Sequence, residues 1–428
     1  MKELFELFYA TSGVCTDTRK IEKNCLFICL KGENFNGNTF AENALKEGAK
    51  YVIVDEVSYQ TNASIFLVEN CLLFLQQLAF FHRSKFDIPV IGITGSNGKT
   101  STKELINCVL SQKYAVLSTI GNLNNHIGVP LTLLRLNADH QIALIEMGAN
   151  KFKDIAELCA IAKPTLGIIT NIGKAHLEGF KDFNGVLTTK KELYTAVSEQ
   201  NGIIIFNSDD SILLENKPDS VEEYSYGTHL NSFVRGKLIG LSPYIEMTWS
   251  HKDYDSPVIH TQTIGKYNFY NFLAAITFGV ILDVPHEKIN QAIQDFAPDN
   301  NRSQVKITKD NTLILDCYNA NPSSMLSALE SFELHTKKEK IFILGDMLEL
   351  GEESHMEHQH IASFVEKAGL RGYTVGPLFQ AVKSPNFIKQ FLTKQEALHY
   401  FAAFPLTKNL ILLKGSRGIG LEILETSL

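Results

Sequence analysis

Paired cysteines are missing from this chain. Its seven cysteines, at 15, 25, 29, 71, 108, 159 and 317, are odd in number, scattered, and contain no Cys-x-x-Cys pair. This pattern argues against a disulfide frame and a structural zinc site, and it is expected of reduced thiols filling the core of a cytoplasmic protein. Long apolar runs are missing too. The longest nearly uncharged one, Asn271 to Leu282, is too short to span a bilayer and is interrupted by Gly279. The opening Met1-Lys2-Glu3-Leu4-Phe5-Glu6 carries early acids and no signal-peptide core. An excess of positive charge is also absent, with 40 Lys plus Arg against 47 Asp plus Glu and a formal charge of -7. Neither a membrane nor a nucleic acid is therefore an expected partner. No short-period repeat or low-complexity tract occurs, which excludes solenoids and disordered tails.

What is present is an ordinary globular composition over 428 residues, 44% hydrophobic and 20% charged. At about 150 residues per domain, that length predicts two to four domains. Apolar strand-like runs alternate with helical stretches through most of the chain, the pattern of parallel sheets with crossover helices. Composition breaks at His82-Arg83-Ser84-Lys85 and at Pro298-Asp299-Asn300-Asn301 divide the chain into blocks 1–85, 86–298 and 299–428. The expected fold class is α/β in three parts: a small N-terminal domain, a central domain with a mainly parallel sheet, and a C-terminal domain of strand–helix repeats.

Ligands of open α/β sheets bind beyond the carboxyl ends of strands. After the expected strand Val90–Ile93 comes Thr94-Gly95-Ser96-Asn97-Gly98-Lys99-Thr100-Ser101, opening a helix from Thr100 to Leu110. Glycines there allow tight turns that aim N–H groups at phosphate oxygens, Lys99 suits the β/γ-phosphates, and the Thr100 hydroxyl suits Mg²⁺. The pattern is a short variant of the phosphate loop, since Ile93 stands where the longer form has Gly; a plain Gly-rich strand-to-helix turn is the alternative. Glu146 and His176 follow two other strands. A carboxylate suits Mg²⁺, whereas a neutral imidazole suits a phosphate or a water better. Either residue alone also fits a surface or capping role. Lys190 and Lys191 open an amphipathic run whose default place is a solvated helix face. Asn268 precedes the apolar helix Phe272–Leu282 and reads as its N-cap or as an adenine reader. In the last block, Asp316, Asn319-Ala320-Asn321-Pro322, Gly345-Asp346-Met347 and Lys414-Gly415-Ser416-Arg417 follow strands, and an Arg fork matches carboxylate or phosphate. The run His355-Met356-Glu357-His358-Gln359-His360 lacks the His-Glu-x-x-His order of a metalloprotease, which weighs against metal.

Taken in order, Thr94 to Thr100, Asn124-Asn125-His126-Ile127-Gly128-Val129-Pro130, Glu146-Met147-Gly148, Asn171-Ile172-Gly173-Lys174-Ala175-His176 and Gly265…Asn268…Asn271 resemble the Mur ligases. These are ATP-dependent amide-forming enzymes of peptidoglycan synthesis. The stretches Asp316 to Met325, Leu344 to Gly351 and Lys414 to Arg417 look like the branch that joins D-alanyl-D-alanine to UDP-N-acetylmuramoyl tripeptide. The resemblance implies a UDP-sugar domain over 1–85, a P-loop-type ATPase domain over 86–298, and a Rossmann-like, acceptor-binding domain over 299–428.

By the resemblance, Gly95, Ser96, Asn97, Gly98, Lys99, Thr100 and Ser101 hold ATP together with Asn271, Arg302 and Asp316. Thr100, Glu146, His176 and Lys190 would serve two Mg²⁺ sites, with Lys190 carbamylated by CO₂, which turns a cation into an anion. Catalytic roles fall to Lys99, Lys190, His176 and Arg302. Substrate contacts fall to Thr18, Arg19 and Lys31, to Asn124 and Asn125, to Asn319 and Asn321, and to Ser416 and Arg417. The implied chemistry is an acyl phosphate formed from ATP and then captured by the amine of D-alanyl-D-alanine, in a cytoplasmic monomer. Tyr267 departs from the family's usual His, Leu315 from an Asp, Cys317 from a small polar residue, and Leu421 from a Met. Another Mur step, a folylpolyglutamate synthase-like ligase, and a nucleotide-binding switch or scaffold are the competing readings.

Overall fold

The computed structural model describes residues 2–174, 177–219, 221–299, 301–336 and 339–428. Apolar segments pair into three larger sheets, each confined to one stretch of chain. In the first, Val14–Cys15, Leu26–Ile28, Tyr51–Val54 and Ile65–Leu67 lie side by side in that order, all parallel. Leu26 to Ile28 and Val52 to Val54 are buried without alternation, as strands covered on both faces must be. The helix Cys71–Arg83 packs there, its start capped by Asn70, whose Oδ1 accepts from the Leu73 amide at 2.8 Å.

The second sheet has ten strands. At its centre is β1 (Val90–Thr94), flanked by β2 (Ile142–Glu146) on one side and β3 (Leu166–Ile169) on the other. Beyond β2 lies Val116–Ser118, and beyond β3 come β4 (Ile203–Asn207), Glu222–Gly227 and Val234–Gly240, all parallel. An antiparallel extension follows, with Glu246–His251 against Val234–Gly240. Met247, Trp249 and His251 point inward from it by strict alternation. The sequence reading missed this extension because its strands are short and half-polar.

Three helices matter for the site: α1 (Lys99–Leu110), α2 (Phe183–Glu199) and α3 (Tyr267–Ile281). Helix α3 is apolar nearly all round and packs on α1. A Cβ on Gly279 would lie 2.7 Å from Val109 Cγ1, so glycine is what lets these helices approach. Helix α3 begins five residues before the expected Phe272. Asn268 therefore lies inside the helix and does not cap it.

In the third sheet an antiparallel edge strand, Gln304–Ile307, pairs with β5 (Thr312–Asp316). Then come β7 (Leu410–Lys414), β6 (Lys340–Gly345), Gly372–Val375 and Phe387–Phe391, all parallel. Helix α4 (Pro322–Glu333) follows β5, and α5 (Ser354–Lys367) follows β6. The α/β class with mostly parallel sheets matches the expectation. No helix among the described residues is long and apolar enough to cross a membrane.

Candidate active site

The chain leaves β1, crosses to the far side of β2 and returns to β3, which makes the end of β1 a topological switch point. The turn there contains Gly95 at φ +145° and Gly98 at φ +79°, conformations L side chains rarely adopt. A Cβ on Gly95 would run into the Thr170 hydroxyl, and one on Gly98 would lie 3.0 Å from Asn271 Oδ1. The segment after β3 braces this turn. The Ser96 amide donates to the Asn171 carbonyl at 3.0 Å, the Asn97 amide to Asn171 Oδ1 at 3.0 Å, and the Thr170 hydroxyl to the Asn97 carbonyl at 2.5 Å. Lys99 folds back over the loop, donating to the Gly95 carbonyl at 2.6 Å. Burial pushes its ammonium down to about 8; Arg302 acts in the same direction and Glu146 opposes it. An anion at this loop would reverse the first effect by supplying the missing counter-charge.

Glu146, the last residue of β2, is 1% exposed. Its Oε1 accepts from Asn124 Nδ2 at 2.7 Å, while its Oε2 is buried without a partner. An orphaned carboxylate oxygen close to the Thr100 hydroxyl's loop suits a hard cation that takes its other oxygens from phosphate and water. Lys190 is equally buried, at 2% exposure. The solvated-face reading fails for it because Val186, Thr189, Lys190, Leu193, Tyr194 and Val197 form the inward stripe of α2. Its amine lies 5.8 Å from the centre of the Phe180 ring. Burial and the charge of Lys99 hold its pKa well below the usual lysine value, opposed by Asp154 and Glu192. Lys191 is half-buried and donates to Asn216 Oδ1 at 3.2 Å. His176 lies outside the described residues.

The third sheet faces the same space. Lys414 at the end of β7 donates to Asp316 Oδ2 at 2.7 Å, and Asp316 Oδ1 accepts from the Ser303 amide at 3.2 Å. Ser303 Oγ meets the Tyr267 hydroxyl at 2.6 Å and Asn268 Nδ2 at 3.1 Å. Asn268 in turn accepts from Asn271 Nδ2 at 2.8 Å, and Asn271 Oδ1 accepts from the Thr102 hydroxyl at 3.1 Å. This relay ties β5 through α3 to α1. Beside it, the Arg302 guanidinium stacks 3.7 Å from the Tyr318 ring centre, with a buried Nε that has no partner.

Phosphate loop, Glu146, Arg302 and Asp316 all line one cavity of about 570 Å³. Contacts between the second and third sheets' segments include Asn321 Nδ2 donating to Asn97 Oδ1 at 2.8 Å within the cavity, the Lys174 amide donating to Ser323 Oγ at 3.2 Å, and, outside the cavity lining, Lys174 Nζ bonding Glu357 on α5 at 2.6 Å. Against known families, residues 11–79 match the Mur ligase family catalytic domain. Residues 93–279 match the Mur ligase middle domain, and 301–417 the Mur ligase glutamate ligase domain. A Bacillus subtilis protein named UDP-N-acetylmuramoyl-tripeptide–D-alanyl-D-alanine ligase is 34% identical over 96% of this chain and 91% of its own length. The chain belongs to the Mur ligase family. Among solved structures, MurF ligase from Thermotoga maritima in complex with ADP aligns at a TM-score of 0.88 with 26% identity, covering 100% of this chain and 98% of the other. MurF from Acinetobacter baumannii aligns at 0.87 with 29% identity, over 99% and 97%.

Within this Mur ligase the other expected residues fall in distinct places. Asn124, Asn319 and Asn321 line the cavity. Asn125 spends its Oδ1 on the amides of Ile127 and Gly128, and Asn319 Oδ1 accepts from the Ala320 amide. Ser416 is 3% exposed; it donates to the Ala320 carbonyl at 3.1 Å and accepts from the Leu348 amide at 2.9 Å, joining three loops. Exposed Arg417 reaches the Tyr318 hydroxyl at 3.3 Å. Thr18 and Arg19 lie in a 3₁₀ turn after Val14–Cys15, Lys31 lies in a short hairpin with Phe35–Asn36, and none of the three lines the cavity. Arg19 forks onto Asp17 at 2.9 and 2.8 Å, and Lys31 bridges Asp55 and Glu56, both at 2.9 Å.

The sequence reading did not single out Ser303, Lys414 or Tyr318 as site residues. Only the strand-end position of Lys414 signalled it. Within the histidine run, buried His358 is structural, while His355 and His360 are exposed. The Met347 amide donates to His358 Nε2 at 3.0 Å, so the ring proton sits on Nδ1, facing the Ser354 carbonyl at 2.7 Å. Burial lowers the pKa of this ring and keeps it neutral.

Proposed function

We propose that this Mur ligase joins D-alanyl-D-alanine to UDP-N-acetylmuramoyl tripeptide at the expense of ATP, in peptidoglycan precursor synthesis. One observation carries the reading: the phosphate loop of the second sheet and the strand-end loops of the third share one cavity, bridged at Asn97–Asn321. The name borne by the Bacillus subtilis relative and the ADP bound by the Thermotoga maritima structure support the acceptor and the nucleotide. We read 1–85 as the UDP-sugar domain, 86–298 as the ATP domain and 299–428 as the acceptor domain, a division supported by the three separate sheets. ATP as phosphoryl donor supports a cytoplasmic site of action, and the monomer is carried over from the family resemblance.

In this reading the first-turn amides of α1 and Lys99 hold the β/γ-phosphates, and Arg302 neutralises charge on the transferring group. The γ-phosphoryl passes to the tripeptide carboxylate, giving an acyl phosphate and ADP. The dipeptide amine then attacks the acyl carbon, the C–O bond to phosphate breaks, and the amine loses a proton. Most of the acceleration is positioning and charge stabilisation. Thr100 and Glu146 would hold Mg²⁺, which supplies electrostatic shielding of the phosphates; the orphaned Glu146 Oε2 supports that fit. Buried Lys190 carries a depressed pKa, and the neutral amine is the form that adds to CO₂, releasing a proton and leaving a carbamate anion for a second cation. Asn271 and Asp316 act through the relay that fixes α3 and Arg302, and the Mg²⁺-site and catalytic role of His176 is carried over from the resemblance alone.

The test mixes ATP, UDP-N-acetylmuramoyl tripeptide and D-alanyl-D-alanine, with phosphate release and product mass as readouts. Release should require both organic substrates, and L-alanyl-L-alanine or a single D-amino acid should be a poor acceptor. Arg417→Lys should raise the dipeptide KM far more than the ATP KM, because a lysine cannot fork onto a carboxylate. Equal turnover with glutamate and a pteroyl substrate would move the chain to the folate branch.

A further inference from the structure

Two arginines from distant parts of the chain converge on a single aromatic ring. Tyr318 lies two residues beyond the end of β5 and lines the cavity. The Arg302 guanidinium carbon is 3.7 Å from its ring centre and that of Arg417 is 5.2 Å away. Arg417 Nη1 also donates to the phenol oxygen at 3.3 Å. Arg302 precedes the antiparallel edge strand and Arg417 follows β7, so no local geometry fixes their spacing. Like charges this close repel. The negative face of the ring and the phenol oxygen offset that repulsion without consuming most of either fork's donors. Arg302 keeps a buried Nε without a partner, while Arg417 is exposed. The pair thus presents one inner and one outer anion-binding group, held by the same side chain.

We propose that Tyr318 is a positioning residue that sets the spacing between the guanidinium facing the transferring phosphoryl group and the one facing the acceptor carboxylate. This rests on the ligase reading above. It assigns Tyr318 a part in acceptor affinity through its hydroxyl and in phosphoryl transfer through its ring. The ring orders Arg302 whether or not an acceptor is bound. The hydroxyl acts on Arg417 alone, so the two parts are separable.

Tyr318→Phe keeps the ring and removes the hydroxyl. It should raise the dipeptide KM about three- to tenfold, the scale of one ordinary hydrogen bond, since this 3.3 Å contact is to an exposed guanidinium, with kcat and ATP affinity within about twofold of wild type. Tyr318→Leu removes the ring as well. It should lower kcat about three- to thirtyfold and weaken binding of a fluorescent ATP analogue, the range of a cation–π contact, while leaving the UDP-substrate KM unchanged. Tyr318→Trp should restore kcat relative to Leu. The proposal is overturned if Leu retains wild-type kcat and dipeptide KM, or if Phe and Leu lose kcat equally. A general packing defect would instead lower the melting temperature and all activities together, which also overturns it. If Tyr318→Leu does not fold, the dipeptide KM and kcat of Tyr318→Phe decide. Should wild-type enzyme reject D-alanyl-D-alanine, the ligase reading fails, yet the analogue affinities of Phe, Trp and Leu still test the platform under Arg302.

Discussion

Lys414→Met should unsettle the nucleotide side of the cavity from a position well removed from the phosphate loop. The lysine side chain is 3% exposed and its partner Asp316 15% exposed, with 2.7 Å between Nζ and Oδ2. Removing one member of a buried pair leaves an uncompensated charge and costs about 3–5 kcal/mol. The Ser303 amide still donates to Asp316, and the aspartate's residual exposure admits some water, so the low end applies, about 3 kcal/mol. For a domain of about 130 residues this lowers the melting temperature by roughly 9–15 °C. The loss should also reach function, because Asp316 holds Ser303, and Ser303 holds Tyr267 and Asn268 next to Arg302. Affinity for a fluorescent ADP analogue should fall while the UDP-substrate KM stays put. The double variant Asp316→Asn with Lys414→Met removes both charges and should recover about half the lost stability or more, a non-additivity typical of direct partners. A single variant within about 0.5 kcal/mol of wild type, or single costs that simply add in the double, would refute the argument.

Nucleotide affinity should depend on pH through Lys99. Its pKa in the free protein is pushed down to about 8, below its unfolded value, so a destabilising buried cation is present below about 8 and relieved as pH rises from there towards the normal lysine range. The charged form is the one that binds phosphate, so the dissociation constant for ADP should rise above pH 8; a flat profile from 7 to 9.5 would remove Lys99 from the phosphate site. Lys190→Ala should lose most turnover and regain part with a small carboxylic acid, whereas Lys191→Ala should stay near wild type; the reverse ranking excludes the carbamate assignment. Glu357→Gln breaks the Lys174 bridge to α5, whose lysine is 44% exposed. It should weaken this contact between the second and third sheets' segments by about 1 kcal/mol, read as a roughly fivefold higher dipeptide KM with ADP affinity unchanged.

Local signals explain what was readable without coordinates. Gly95 and Gly98 punctuate a strand-to-helix turn, and Glu146, Asp316 and Lys414 end apolar runs. The periodicity of those runs carried the α/β class, and the resemblance of the ordered motifs carried the family. Backbone sterics and burial act within a few residues, so such features survive in a one-dimensional pattern. Lys190 could not be separated from Lys191 by composition, because only the docking of α2 on the sheet decides which lysine is inward. Asn268 looked like a cap, but the helix starts at Tyr267 and the Asn268 side chain is turned to Ser303 and Asn271. The Asp316–Lys414 pair spans 98 residues and Asn97–Asn321 spans 224. Their partners are chosen by strand order and by how two sheets face each other, which no stretch of neighbouring residues encodes. Tyr318 shows the same limit. The sequence determined that arginines would end certain loops near strand ends, while packing of β5, β7 and the edge strand decided that two of them would share one ring.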